Sequence, residues 1–160
     1  MQEKILKLLE ENARLSNRQI AVMLDTTEDA VAAAIAEYEK SGIIKGYQAV
    51  VDWDSSAPGH VTSMIELKVA PRRDSGFDEI AHRVMEYEEV ESVYLMSGGY
   101  DLLVCVRGRS LQDVAMFVAK RLSTLDGVLS TATHFLLTKY KENGFDLTES
   151  KEKDKRSMVL

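Results

Sequence analysis

Apolar residues in the first 46 positions recur at the spacing of helices. Ile5 and Leu9 belong to the apolar side of a first helix, where such residues are separated by three or four positions. Ser16 is a favourable N-cap for a second helix, and Thr27 for a third helix that ends before Gly42. Three helices with a short turn between the second and third predict a helix-turn-helix.

The chain beyond residue 60 has a different pattern. Apolar and β-branched runs alternate with amphipathic segments, which predicts the order β-α-β-β-α-β. The predicted strands are 61–70, 90–96, 101–106 and 128–140, and the predicted helices are 77–87 and 111–122. The fold class is therefore α+β, a winged-type helix-turn-helix followed by a ferredoxin-like βαββαβ domain.

Three regions follow from this order. Residues 1–52 form the helix-turn-helix domain with a linker strand at 47–51, and residues 60–146 form the ferredoxin-like domain. The segment 52–59, which contains Pro58, is expected to be a linker. Residues 147–160 are charged and short of apolar periodicity, so we expect a solvated tail.

Composition limits the class of protein. The 160 residues are 45% hydrophobic, enough for a buried core, and the mean hydropathy is -0.18. Neither a signal peptide nor an apolar run of the ~18 to 20 residues needed for a membrane span is evident. Cys105 is the single cysteine, which excludes an intrachain disulfide. The expected location is the cytoplasm, without membrane association.

The charge of the chain bears on nucleic-acid binding. The net charge is -6 and the pI is about 5.1. Residues 1–46 hold six basic and eight acidic side chains, a net charge of -2. Because affinity for nucleic acid depends on basic groups that displace counterions, we do not expect tight nonspecific binding by a single copy.

Two short segments carry a family resemblance. Ser41–Tyr47 (SGIIKGY) closes the third helix, and Ser97–Asp101 (SGGYD) lies between the two central strands. Together with the order of elements, they resemble the leucine-responsive regulator/AsnC (feast–famine) family over roughly residues 3–145.

The resemblance implies a transcription regulator that binds double-stranded DNA through its helix-turn-helix. It also implies a C-terminal domain for effector binding and oligomerisation, with homodimers that often assemble into octamers. The effector in this family is commonly an amino acid, bound around the Ser97–Asp101 turn at the interface between dimers. No further cofactor is implied.

The third helix departs from the family pattern. Members carry several Arg or Lys at the positions of Ala32, Ala33, Ala34, Ala36 and Glu37, none of which is basic here. One interpretation keeps DNA contact through the start of this helix and its neighbours. The candidate DNA-binding residues are Arg14, Asn17, Arg18, Thr27, Glu28, Asp29, Ala32 and Ala33. The alternative is an oligomeric metabolite sensor whose degenerate helix-turn-helix no longer binds DNA.

The turn at residues 97–101 also has two interpretations. Its glycines either supply positive φ to a hairpin or leave main-chain amides open to a ligand. In the second case, Asp101 is placed to pair with an α-ammonium group. The candidate effector-binding residues are Gly98, Gly99, Tyr100, Asp101, Thr131 and Thr133.

A dimer is also expected from the sheet. If helices cover one face, an apolar face remains that normally implies a partner. The residues assigned to that uncovered face are Leu67, Val69, Val104 and Val106. Tyr47–Val51 and Trp53 are expected to form further dimer contacts.

Other kinds of site find little support. His60, His82 and His134 are scattered, so no metal site is predicted. The acidic residues between 86 and 91 are typical of a solvated connection. Some proteins of related architecture decarboxylate a tetrapyrrole, but the chain offers little clustering of His or Arg to hold such a polycarboxylate, and we expect no enzymatic activity.

Overall fold

A computed structural model describes residues 2–56, 59–70 and 76–148. The chain folds as two compact units, Met1–Val50 and Val51–Leu160, and each has its own hydrophobic core. No helix in the described ranges is long and apolar enough to cross a membrane. Most of the predicted charged tail, from residue 149 onward, lies outside the described residues.

The N-terminal unit consists of three helices, α1 Gln2–Glu11, α2 Asn17–Met23 and α3 Glu28–Lys40. Their apolar faces meet in a small core. The buried residues are Ile5, Leu9, Ile20, Ala21, Val31 and Tyr38. Ala21, 5% exposed, has a small side chain that lets α2 and α3 pack closely. The predicted helix-turn-helix is confirmed.

Side chains at the helix ends fix where α2 and α3 begin. The Ser16 hydroxyl accepts a hydrogen bond from the Gln19 N–H at 3.2 Å, and Gln19 Oε1 accepts one from the Ser16 N–H at 2.8 Å. This reciprocal pair is a capping box. Thr27 Oγ1 accepts from the Ala30 N–H at 3.2 Å. Both predicted N-caps are therefore present.

The C-terminal unit is a four-stranded antiparallel sheet with two helices on one face. Its elements are α4 Trp53–Ser56, β1 Val61–Val69, α5 Asp78–Met85, β2 Val90–Leu95, β3 Leu102–Gly108, α6 Leu111–Phe117 and β4 Val128–Phe135. α6 continues into a π-helical turn, Val118–Leu122. The strand order β2-β3-β1-β4 confirms the predicted ferredoxin-like arrangement.

The helices α5 and α6 cover the face of the sheet that the sequence assigned to a partner. The side chains concerned are at most 4% exposed: Leu67, Val69, Val104 and Val106. Successive residues of a strand point to opposite faces of the sheet, and the prediction placed the residues of the helix-covered face on the uncovered one. The prediction of this surface was therefore wrong. The uncovered face, which we call the outer face, carries Met64, Tyr94 and Leu103 instead.

The connections also differ from prediction. Tyr47–Val51 forms no strand within the described part of the chain, since no other segment pairs with it. The predicted linker at 52–59 contains the short helix α4. The last strand ends at Phe135 rather than at Tyr140. A hairpin of β5 Lys141–Glu142 and β6 Phe145–Asp146 follows, turning where φ is positive at Asn143 and Gly144.

Candidate functional site

The exposed side chains in the first ten residues of α3 are acidic or alanine. They are Glu28, Asp29, Ala33, Ala36 and Glu37. Ala34 is half-buried and packs against the core, and Ala32 is also half-buried. Direct readout of base edges relies mainly on Arg, Lys, Asn and Gln, and this part of α3 exposes none of them; its acids can only accept from a cytosine amino group. An alanine methyl group can contact only a thymine methyl group.

The polar groups before α3, in the connection from α1 to α2, at the start of α2 and at the α3 N-cap, are better suited to phosphate. Arg14 and Arg18 are exposed, and in the ranges that the structure describes neither has a carboxylate within ion-pair distance. Asn17, half-buried, is the first residue of α2. Thr27 uses its oxygen to cap α3 but keeps its hydroxyl proton for donation.

The start of α3 contains opposing charges. Backbone N–H groups at a helix N-terminus attract anions. Glu28 and Asp29 lie in that first turn, where they stabilise the helix but repel a phosphate. Arg14 and Arg18 would therefore have to supply most of the attraction to a DNA backbone.

The turn between β2 and β3 is open to its surroundings. Gly98 and Gly99 are exposed, and a Cβ built on either would meet nothing within 4 Å. Neither residue has φ in the left-handed range. The first of the two interpretations, that these glycines supply positive φ, is therefore wrong, and neither φ nor the space around the turn requires glycine at either position.

Asp101 ties this turn to the end of β1. Its Oδ2 accepts a hydrogen bond from the Val69 N–H at 2.9 Å, and its own N–H donates to the Leu67 carbonyl oxygen at 3.0 Å. One carboxylate oxygen is thus engaged within the chain. No pattern in the sequence indicates the role of Val69, because a backbone N–H is common to nearly every residue.

The two threonines lie on the helix-facing side of β4. Thr131 pairs with Leu67 and Thr133 with Ile65, both across β1. Because β1 lies between β3 and β4, Thr131 is two strands from the start of β3, about 10 Å away. Its hydroxyl oxygen is 3.5 Å from that of Ser123. The structure places Thr131 at the same end of the sheet as the turn, and Thr133 farther along β4.

Two residues of the predicted solvated acidic segment have basic partners. Glu89 pairs with Arg121 at 3.1 Å, and Glu91 with Arg107 at 2.8 Å. The guanidinium carbon of Arg107 also lies 5.8 Å from the centroid of the Trp53 ring. This acidic segment is therefore partly structural rather than merely solvated.

Comparison with protein families decides the class. A sequence model of the Lrp/AsnC ligand binding domain matches residues 62–144, and one of a winged helix-turn-helix DNA-binding domain matches residues 1–45. The chain belongs to the Lrp/AsnC family. Members of this family are transcription regulators with a DNA-binding helix-turn-helix and a small-molecule-binding domain, rather than enzymes.

Two curated relatives illustrate the similarity. The chain is 49% identical over 158 residues to the HTH-type transcriptional regulator YugG of Bacillus subtilis, covering 98% of this chain and 94% of YugG. It is 30% identical over 131 residues to the proline dehydrogenase transcriptional activator of Rhodobacter capsulatus, covering 82% of this chain and 84% of that one.

Solved structures of Lrp/AsnC type share the fold. A transcriptional regulator of Neisseria meningitidis in complex with L-methionine has a TM-score of 0.72 and 24% identity, over 92% of this chain and 95% of that one. AsnC of E. coli has a TM-score of 0.69 and 20% identity, over 88% and 93% of the two chains.

Proposed function

We propose that this Lrp/AsnC regulator binds DNA through the start of α3 together with Arg14 and Arg18, and binds an amino acid at the 97–101 turn. The bound amino acid would change how dimers assemble, through a coupling free energy between the two sites. The observation that carries the effector site is the pair of exposed glycines, Gly98 and Gly99, which the fold of the unit does not require.

The amides of the turn suit a zwitterion. Without side chains at Gly98 and Gly99, a carboxylate can approach main-chain N–H groups closely. Asp101 is half-buried, and its Oδ2 already accepts from Val69, so its other oxygen is the one left to accept from an α-ammonium group. Tyr100 completes the turn, and Thr131 lies at the same end of the sheet. The regulator bound to L-methionine supports this ligand class by its similarity of fold.

DNA binding is proposed to be weak for each copy and strong for the assembly. The net charge of -2 over residues 1–46 limits the affinity of one unit. When several units are linked, the second contact becomes intramolecular and gains from its effective concentration. The proposed assembly is a homodimer that builds a higher oligomer, such as an octamer.

The outer face of the sheet supports the dimer. Tyr94 is 52% exposed and Met64 40% exposed on this face, and Leu103 is half-buried between their strands. Glu66 also lies on this face, so a second copy is proposed to cover the apolar part of it. Tyr94→Glu should then lower the mass in analytical ultracentrifugation. Met85→Glu, an exposed residue on α5, is the control that should leave the mass unchanged.

Selection of genomic DNA fragments by the purified protein tests the DNA site. We expect fragments to be retained at moderate salt, and retention to change when the twenty amino acids are added singly. Arg14→Gln combined with Arg18→Gln should lower the affinity and reduce the dependence of log K on log salt by about 0.9 for each lost phosphate contact. Arg109→Gln, an exposed arginine of the C-terminal unit, is the control. Equal retention by the double variant would reject the proposed interface.

A further inference from the structure

A cavity of about 330 Å³ lies at the end of β1 opposite the 97–101 turn. Val61 and Thr62 at the start of β1 line it, whereas Asp101 contacts Leu67 and Val69 at the other end. Val61 and Val69 are eight positions apart along an extended strand, a distance of about 25 Å. The cavity is therefore separate from the proposed effector site.

The walls of this cavity are mostly apolar. Trp53 from α4, Leu111 from α6 and Phe135 from β4 contribute large side chains. The His60 ring meets Trp53 edge to face, with 6.4 Å between the ring centroids. A volume of this size is at the lower end of those that hold small organic ligands.

The charged groups of the cavity are two cations and one carboxylate. Arg107, Lys139 and Asp52 all line it. The ion pair of Arg107 with Glu91 is made through Nη2, and a guanidinium has five N–H donors in all, so further donors remain for a second acceptor. Lys139 is paired with Glu142 at 2.7 Å. Arg107 is therefore the group best suited to a ligand carboxylate.

We propose that this cavity binds a small apolar monocarboxylate, with its apolar body against Trp53, Leu111 and Phe135 and its carboxylate on Arg107. This goes beyond the proposed function, since neither an amino group nor the 97–101 turn is involved. Trp53 begins α4, three positions after the end of the helix-turn-helix unit at Val50. A ligand here would stabilise the packing of α4, the first element after the DNA-binding unit.

Binding in this cavity can be followed by intrinsic fluorescence, because Trp53 is the single tryptophan of the chain. Titration of the full-length protein with phenylacetate should give a saturable change in tryptophan fluorescence. Phenylacetamide, which has the same shape but no charge, and phenethylamine, which is a cation, should give a change at least about tenfold weaker. Equal responses to all three compounds would overturn the proposal.

Two adjacent residues of α6 provide matched variants. Leu111 lines the cavity, whereas its exposed neighbour Gln112 does not. Both lie in the first turn of the helix, where an added acid is tolerated. Leu111→Glu should weaken phenylacetate binding at least about tenfold, whereas Gln112→Glu should not.

Two further measurements separate this site from others. Gly98→Ala should leave the phenylacetate response unchanged while weakening the amino-acid response. The proposal for each site can therefore be rejected independently of the other. Fluorescence without ligand is also recorded against protein concentration, because Trp53 is itself an expected dimer contact. If the fluorescence changes with protein concentration and phenylacetate adds no saturable change, Trp53 reports only contact with a second copy and the ligand proposal is wrong.

Discussion

The Asp101 carboxylate accepts a hydrogen bond from the Val69 N–H, and this contact links the β2–β3 turn to the end of β1. Asp101→Ala should lower the free energy of unfolding by about 1.5 kcal/mol, the lower end for a hydrogen bond to a charged group because the site is half-buried. Asp101→Asn keeps an acceptor oxygen and should lose less. Chemical denaturation of both variants tests this, and equal losses would contradict it.

Alanine substitution at four glycines should affect stability in two different ways. A Cβ at Gly108 would lie 2.7 Å from Val114 Cγ2, and one at Gly127 would lie 2.8 Å from Ile80 Cδ1 at a φ of +92°. Alanine at either position should lower the free energy of unfolding by about 1–3 kcal/mol, through overpacking against Val114 at Gly108 and through the strain of a positive φ at Gly127.

Gly98 and Gly99 form the second group. Alanine at either position meets nothing within 4 Å, so stability should change by less than about 0.5 kcal/mol. The dissociation constant of the amino acid should nevertheless rise about tenfold, the equivalent of one impaired hydrogen bond. Thermal unfolding and calorimetric titration separate the two effects. An unchanged affinity for both variants would exclude the turn as the effector site.

The buried Tyr38 should be a source of instability. Its hydroxyl has no hydrogen-bond partner in the described parts of the chain. Tyr38→Phe should therefore raise the free energy of unfolding by about 1 kcal/mol. Tyr47→Phe is the matched control, because the exposed Tyr47 hydroxyl donates to Glu39 at 2.9 Å and its loss should be neutral or slightly destabilising. A destabilised Tyr38→Phe variant would show that the hydroxyl does have a partner.

Removing the two acids in the first turn of α3 should have opposite effects on two properties. Glu28→Gln with Asp29→Asn should raise the affinity for DNA by removing repulsion of phosphate. The same change should lower helix stability by about 0.3–1 kcal/mol for each charge, because acids favour a helix N-terminus. Glu10→Gln with Glu11→Gln, exposed at the end of α1, is the equal-charge control. If both pairs raise the affinity equally, net charge alone is responsible.

Cys105 should make stability depend on alkaline pH. Burial of this half-exposed thiol, together with the charges of Glu91 and Glu142, raises its pKa despite the opposing charge of Lys139. Since the folded state holds the proton to higher pH, the contribution to stability is complete below the pKa of the unfolded thiol, about 8.5, and is lost as pH rises through the folded pKa. The difference in unfolding free energy between the native chain and Cys105→Ser should change only in that window.

The helices could be predicted from local signals. Ser16 and Thr27 bond to amides three residues ahead, so the cap and its partner are adjacent in sequence. The periodicity of Ile5 and Leu9 likewise marks a face that is buried. Such information lies within one or two helical turns, which is why these boundaries agree with the structure.

The parts that could not be predicted depend on distant partners. Leu67 and Leu103 are both apolar, and only the positions of α5 and α6 decide which of them is buried. Tyr47–Val51 has the residues of a strand but no partner strand in the described chain. The bond between Asp101 and Val69 spans 32 residues, and the pattern around either residue does not indicate it.

The capping of α3 has a consequence for the kinetics of DNA association. Thr27 fixes the start of the helix, and at its end the Ser41 hydroxyl donates at 2.7 Å to the Glu37 carbonyl oxygen, which also accepts from the Ser41 N–H at 2.8 Å. The helix is thus ordered before any duplex arrives, and association requires no loss of backbone entropy there. With the weak attraction proposed for each copy and no folding step, residence on each site should be short and exchange between sites rapid, so lasting occupancy should come from the number of copies in the proposed assembly.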